Sequence, residues 1–221
     1  MRENVEFITP LHKKTGRDYL ARVNEHDKAE CAAVARQFGK DYWDGDRRYG
    51  YGGYRYDGRW ASVARSLVEH YGLSDRSSVL DVGCGKGFLL YEIHRLIPGA
   101  ALQGVDISEH ALANSKEEVR DRLSIGHARK LPFPDRSFDL VISITTLHNL
   151  EVHDLFSAVR EIARVSRKDG YIAVESYRDE KEKANLLYWQ LTCESFHRPD
   201  GWRWIYEQCG YRGDHEFIYF E

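Results

Sequence analysis

Long apolar runs are missing from this 221-residue chain. Its apolar stretches are strand-sized, so no transmembrane helix is expected. A surplus of one charge is missing too: 32 basic and 35 acidic residues are well mixed and leave a net −3. Neither a nucleic-acid backbone nor an anionic membrane is therefore expected as the main partner. Cysteine is scarce. Cys31, Cys84, Cys193 and Cys209 lie far apart with no C-x-x-C among them, which argues against a disulfide framework and against a cysteine-rich zinc site. The histidine pairs His148/His153, His12/His26 and His197/His215 match no ligand spacing, so no metal is expected. A Walker loop, a G-x-x-x-x-G-K-[ST] string, is absent, as is the G-x-S-x-G elbow of serine hydrolases. The first residues, Met1-Arg2-Glu3-Asn4-Val5-Glu6, hold no apolar signal core, and a reducing, cytoplasmic setting is expected. No internal repeat or linker divides the chain, and its hydrophobic content of 42% is enough for a real core.

What is present centres on Val79-Leu80-Asp81-Val82-Gly83-Cys84-Gly85-Lys86-Gly87. An apolar run ends in an acid, three glycines follow at every second position, and a helical segment, Phe88 to Leu96, comes next. A strand that feeds a helix through a glycine turn lets a ligand approach the backbone at the helix N-terminus. In open α/β sheets ligands bind at the carboxyl ends of strands, where Asp81 would sit. The spacing G-x-G-x-G differs from the G-x-G-x-x-G of dinucleotide sites.

Around this loop, strand and helix signals alternate. Strands are predicted at 77–82, 101–107, 123–128, 138–145 and 170–177, with helices at 88–97, after a Ser108 cap, and at 152–166. This pattern predicts βαβ units and a parallel sheet with helices on both faces. Earlier in the chain, residues 1–20 are predicted to be an extended lead-in, with helices at 27–38 and 60–71. The tail predicts a helix at 180–188, a strand at 189–196, a helix at 199–208 and a last strand at 215–220.

Residues 41–60, DYWDGDRRYGYGGYRYDGRW, hold five tyrosines and five glycines without hydrophobic periodicity, which predicts a loop. A purely solvated loop has little use for Tyr49, Tyr51, Tyr54, Tyr56 and Trp60, whose rings suit binding walls. Arg47, Arg48, Arg55 and Arg59 lie among them, balanced by Asp41, Asp44, Asp46 and Asp57. The stretch is read as a lid or substrate wall, with Tyr51, Tyr54, Arg55 and Trp60 as candidate acceptor contacts.

Four segments in order resemble a known family. Asp81-x-Gly83-x-Gly85-x-Gly87 resembles motif I of class I S-adenosylmethionine (AdoMet)-dependent methyltransferases, and Gly104-Val105-Asp106-Ile107-Ser108 resembles their acidic end of the second strand. Residues 126–141, from Gly126-His127-Ala128 through Leu131-Pro132-Phe133 to Phe138-Asp139-Leu140-Val141, resemble the "GDA…LPF…FDLV" stretch, and Arg164 to Tyr171 resembles the "L-K-P-G-G" turn. The resemblance covers about residues 60–177. It implies a Rossmann-like fold: a mostly parallel sheet, helices on both faces and an antiparallel C-terminal strand. Residues 1–60 would then be an N-terminal extension and lid, and 61–221 the AdoMet-binding unit.

The resemblance also implies roles. Gly83, Cys84, Gly85 and Gly87 would pass beneath the methionyl and ribose parts of AdoMet, with Cys84 as small filler. Asp81 would lie near the sulfonium and amino end, and Asp106 would hold the ribose hydroxyls. Ile107 would flank the adenine, Ala128 would approach its edge, and Ser143 would line the methionyl side. The family often places an aspartate where this chain has His127; the imidazole either accepts a bond from the adenine amino group or packs on the ring. S-adenosylhomocysteine would be the product.

Methyl transfer needs an acceptor held in line, and a base only where the acceptor must lose a proton. His148 is the first candidate base, since its ordinary pKa lies near neutrality, and Tyr177 is the second. Either residue has a plain structural alternative, a loop hydrogen bond for His148 and a wall position for Tyr177. The absence of a basic appendage favours a small-molecule acceptor, a sugar or another anionic metabolite. An RNA or protein methyltransferase, and an AdoMet-binding protein that transfers no methyl, stay open, as does a monomer or a homodimer.

Overall fold

The structure, a computed structural model, describes residues 5–13 and 16–221. Residues 1–4 and 14–15, part of the expected lead-in, lie outside the described residues. Within the rest of that lead-in, two short helices replace extended chain: α1 (Thr9–His12) and α2 (Tyr19–Asn24). Local periodicity misses them because each is too short to show a repeat. They are held from outside: the buried Glu216 carboxylate accepts the backbone N–H groups of Phe7 and Ile8 at 2.7 and 3.0 Å, and so fixes the start of α1. Asp18 caps α2 by accepting from the Ala21 N–H at 2.9 Å.

The helices α3 (Lys28–Ala35), α4 (Lys40–Asp44) and α5 (Trp60–His70) follow. The aromatic stretch is thus not loop throughout; its start is helical and a 3₁₀ turn follows at Arg47–Tyr49. The expected alternation then runs β1 (Ser78–Val82), α6 (Phe88–Leu96), β2 (Ala101–Asp106), α7 (Glu109–Ala113), β3 (Leu123–Ile125), β4 (Phe138–Ile144), α8 (Val152–Val165) and β5 (Ser166–Glu175). The chain closes with α9 (Glu180–Trp189), α10 (Pro199–Gln208) and β6 (Asp214–Ile218).

The six strands form one sheet in the order β3-β2-β1-β4-β5-β6, and every neighbouring pair is parallel. Strand alternation divides the core. Val79, Leu140, Ile142, Tyr171 and Ala173 pack toward α5 and α6, while Leu80, Val141, Ile172 and Val174 pack toward α8 and α10. The α/β fold with helices on both faces is therefore as expected.

Two expectations fail in the tail. The last strand is parallel to β5, not antiparallel, because two helices return the chain to the opposite end of the sheet before β6 begins, where an antiparallel neighbour would follow from a short reversal. Residues 190–196 form no strand; they run as loop over the site, with Glu194 and Ser195 donating backbone N–H bonds to the His148 carbonyl, each at 2.9 Å. The sheet order reverses between β1 and β4, which opens a crevice at their carboxyl ends.

Candidate active site

The crevice starts with backbone. Gly83 and Gly85 hold φ of 84° and 53°, a region that L side chains rarely enter. A Cβ on Gly83 would stand 2.0 Å from Thr146 Oγ1, and one on Gly85 would stand 2.9 Å from the Trp43 ring. Both glycines therefore allow close approach of other chain. Asp106 braces the loop: its two carboxylate oxygens accept the N–H groups of Gly85 and Ser108, each at 2.8 Å. Asp81 is buried at the same mouth, and burial together with the Asp106 charge lifts its carboxyl to about 7.

Three cavities meet here. The first, about 100 Å³, is lined by Trp43, Gly83, Asp106, Ile107, His127 and Ala128 among others. A second, of about 60 Å³, lies over Asp81, Cys84, Gly85 and Phe88. The largest, about 570 Å³, extends from Trp60 past His148 and Glu175 to Trp189. Tyr51, Ile144 and Thr145 line all three, so this is where their contents would touch. Thr145 reaches this junction with φ at 52°, held by its N–H bond to the Ala173 carbonyl at 2.9 Å.

The aromatic stretch closes over the loop. Trp43 stacks on Tyr51 with centroids 5.2 Å apart and donates from Nε1 to Ser108 Oγ at 2.8 Å. Tyr54 stacks on Phe88 at 5.1 Å, and Trp60 donates to the Tyr54 hydroxyl at 2.9 Å. A polar latch reinforces this. Buried Lys86 donates to both Asp44 oxygens at 2.6 and 2.8 Å and to the Tyr54 carbonyl at 2.8 Å, while His110 Nε2 stands 2.7 Å from Asp44. Burial pushes the Asp44 carboxyl up, but Lys86 and His110 outweigh it and hold the group below the usual range.

In the large cavity, His148 and Glu175 face each other. His148 Nδ1 accepts the Glu175 backbone N–H at 3.3 Å, which places the ring proton on Nε2, 3.4 Å from Glu175 Oε2. Gln190 donates to Glu175 Oε1, and Oε2 is buried without a hydrogen bond. Burial drives the two groups toward neutrality from opposite sides: His148 falls to about 3 and Glu175 rises to about 8. At neutral pH the pair therefore holds a neutral imidazole and a proton on the carboxyl.

Several residues singled out by sequence lie elsewhere. Ser143 is fully buried, donates to the Val82 carbonyl at 3.0 Å and lines none of the three cavities; strand alternation turns it from the crevice, and Ile144 and Thr145 take its place. Tyr177 lies beyond the end of β5 under Lys183 and Arg198, and also lines none of them. Exposed Arg55 lines none of the three cavities, whereas Arg17, Arg22, Arg47 and Arg59 line the largest. His127 has both nitrogens engaged, Nδ1 accepting the Arg129 N–H at 3.1 Å and Nε2 3.7 Å from Asp154, which leaves its ring face for packing. Burial, then Arg129, lowers its pKa. Gly87 caps α6, and a Cβ there would press on Leu123 at 3.0 Å. Glu175 and Trp43 went unassigned from sequence; Trp43 sat within the aromatic stretch as its one signal.

Residues 80–174 match the model of a family described as the methyltransferase domain. These residues, somewhat less than half of the chain, are similar to that methyltransferase domain. The chain is 40% identical over 92 residues to the arginine-hydroxylase NDUFAF5 of Rattus norvegicus, a match spanning 41% of this chain and 26% of that one. It is 37% identical over 97 residues to the demethylmenaquinone methyltransferase of Roseiflexus sp., which covers 42% of this chain and 40% of the other. The chain thus spans less than half the length of these curated relatives. The YcgJ protein of Bacillus subtilis has the same fold, with a TM-score of 0.53, 22% identity and 66% of each chain covered. Among the described residues no cluster of His, Cys, Asp or Glu could hold a metal ion, and no helix is long and apolar enough to cross a membrane.

Proposed function

We propose that this chain is an AdoMet-dependent methyltransferase for a small-molecule acceptor, a sugar or another anionic metabolite. The observation that carries this reading is the junction: two clefts over the glycine loop and one large cavity share Tyr51, Ile144 and Thr145. The residues present suit the cofactor. Asp81 is a buried carboxyl that meets no cation among the described residues lining its cleft, and a sulfonium with its amino group would offset its burial. Each Asp106 oxygen uses one lone pair on a backbone N–H and keeps another for ribose hydroxyls. Ile107, half-exposed beside Asp106, offers an apolar flank for adenine, with Ala128 at its edge and the His127 ring beside it.

AdoMet supplies an electrophilic methyl group on sulfur. The chain's own task is to orient the acceptor and exclude water. Trp43, Tyr51, Tyr54 and Trp60 form the wall between donor and acceptor, and residues 1–60 act as extension and lid over the unit at 61–221. Where the acceptor loses a proton, the ionised form of Glu175, populated as pH rises toward its raised value of about 8, takes it on Oε2, while His148, its Nδ1 lone pair held by the Glu175 N–H, stays neutral and positions that carboxylate.

Calorimetry tests the donor side. Asp106→Ala is expected to weaken AdoMet by about 2 kcal/mol, roughly 30-fold, as expected for losing bonds to a charged group; unchanged affinity would sink the ribose assignment. The acceptor side is tested by mass spectrometry of cell extract incubated with labelled AdoMet, where one small compound is expected to gain the label. Label on RNA or protein instead would favour the macromolecular reading. A second outcome deserves its own readout because the rat relative bears the name of a hydroxylase. AdoMet binding with no S-adenosylhomocysteine formed from any extract would favour a domain that binds the cofactor and transfers no methyl.

A further inference from the structure

Three arginines crowd one indole at the far end of the acceptor cavity. The guanidinium carbons of Arg17, Arg22 and Arg47 stand 5.5, 5.5 and 5.3 Å from the centre of the Trp189 ring, and all three side chains line the cavity. They come from three separate places: the segment before α2, α2 itself, and the 3₁₀ turn after α4. The indole face attracts each of them and so offsets part of their mutual repulsion. The repulsion remains visible: burial first, and then the neighbouring Arg47 charge, hold Arg22 below the usual guanidinium range.

This cluster stands out against the rest of the molecule. Acidic residues outnumber basic ones, 35 to 32, and other arginines find them: Arg59 pairs with Asp57, Arg164 with Glu161 and Asp135, and Arg178 with Glu182. Arg22 and Arg47 meet no carboxylate among the described residues. Arg22 gives one N–H to the Arg47 carbonyl at 2.8 Å, and its Nε is buried without a partner. Arg22 is partly buried and Arg47 exposed, with a donor bond to the Gly50 carbonyl, and two like charges held this close repel unless something of opposite charge joins them. The cavity they line is continuous with Thr145 and Tyr51 at the transfer junction.

We propose that Arg22 and Arg47, with Arg17 beside them on Trp189, seat an anionic group of the acceptor, a phosphate or a carboxylate, and so set which end of that molecule faces the junction. The guanidinium fork suits both groups because its paired N–H donors match two anionic oxygens. An acceptor seated there spans the cavity with its charge at Trp189 and its reacting atom toward Thr145. The lid is tied to the same event, since Arg47 belongs to the aromatic stretch that covers the glycine loop. The inference rests on reading the large cavity as the acceptor site.

The full chain, saturated with S-adenosylhomocysteine, is titrated with inorganic phosphate, glucose 6-phosphate and acetate by calorimetry and tryptophan fluorescence. Saturable binding is expected in the unaltered chain, weaker by at least about tenfold in Arg22→Gln and in Arg47→Gln, and unchanged in Arg55→Gln, whose side chain lies off the cavity. Arg47→Lys keeps charge without the fork and is expected to fall between. Binding of the phosphates without acetate identifies a phosphate seat, and the reverse a carboxylate seat. Thermal melting and S-adenosylhomocysteine affinity, measured on every variant, establish that each is folded. A chain that binds S-adenosylhomocysteine but none of the three anions overturns the inference, as does equal anion binding by the Arg22→Gln, Arg47→Gln double variant. A chain that binds no S-adenosylhomocysteine overturns the reading of the donor site instead.

Discussion

The two ends of the crevice are built differently. The donor end is made of backbone. Five consecutive residues, Gly83 to Gly87, turn from β1 into α6, and one acid at the end of β2 braces the turn by accepting the Gly85 N–H. The acceptor end is made of side chains gathered from far apart: Arg17, Arg47, His148, Glu175 and Trp189 line one cavity. A backbone site constrains which residues can occupy it, because a Cβ in the wrong place collides. A side-chain site constrains mainly charge and shape, and many sequences satisfy that.

The difference predicts unequal sensitivity. Gly83→Ala is expected to have the largest effect. The new Cβ would stand 2.0 Å from Thr146 Oγ1 at a backbone φ of 84°, so strain and collision act together. A stability loss of about 2–4 kcal/mol is expected by chemical denaturation, with AdoMet binding lost by calorimetry. Retained affinity would show that the donor end tolerates side chains after all.

Glu175→Gln probes the acceptor end and has a pH signature. An ordinary glutamate titrates at about 4.3 when unfolded. In the folded chain burial raises Glu175 to about 8. The folded state thus holds more protons between those values, so its stability falls as pH rises through that window. Glutamine removes the dependence. The variant is expected to be more stable than the unaltered chain near pH 9, by on the order of 2 kcal/mol and hence with a higher melting temperature, and equally stable near pH 4. AdoMet affinity should stay the same while turnover of a proton-bearing acceptor falls. A pH-independent difference in melting would mean that the carboxyl is not held protonated.

The same contrast accounts for what was legible in the sequence. The G-x-G-x-G turn, Asp81 and Asp106 could be read because local spacing carries them. The acceptor end left no local mark: nothing in the chain says that Arg17 from the lead-in meets Trp189 from the end of α9. Direction was the other loss. The family resemblance puts Ser143 on the methionyl side, but within β4 strand alternation turns it onto the Val82 carbonyl. Tyr177 was placed by extending β5 two residues past its end at Glu175, so the carboxylate that faces His148 went unassigned. Arg55 lies among aromatics that line the cavities, yet a glycine-rich loop has no fixed period from which its direction could be deduced. The parallel orientation of the last strand is not legible because sequence shows a strand, not the path by which the chain arrives.

The latch between the two ends should respond least. Asp44 sits on the aromatic stretch, and its oxygens take bonds from Lys86 in the glycine loop and from His110 on α7. Asp44→Asn keeps the shape and removes the charge. Lys86 then retains the Tyr54 carbonyl and an amide oxygen, so the ammonium is not stranded. Because Asp44 is partly exposed, a loss of only about 1 kcal/mol is expected near pH 7. The sign with pH is opposite to that of Glu175. Its folded-state pKa lies below the ordinary value, so the stabilisation is present above about pH 4 and disappears as pH falls through the folded value. Denaturation curves of the two chains should therefore converge in acid and separate above pH 5. If the latch also positions Trp43 over Gly85, AdoMet affinity should drop a few-fold in the variant, with the acceptor-end anions unaffected. A variant that loses anion binding and keeps AdoMet affinity would place the latch with the side-chain end of the crevice, and the division between the two ends would have to be redrawn.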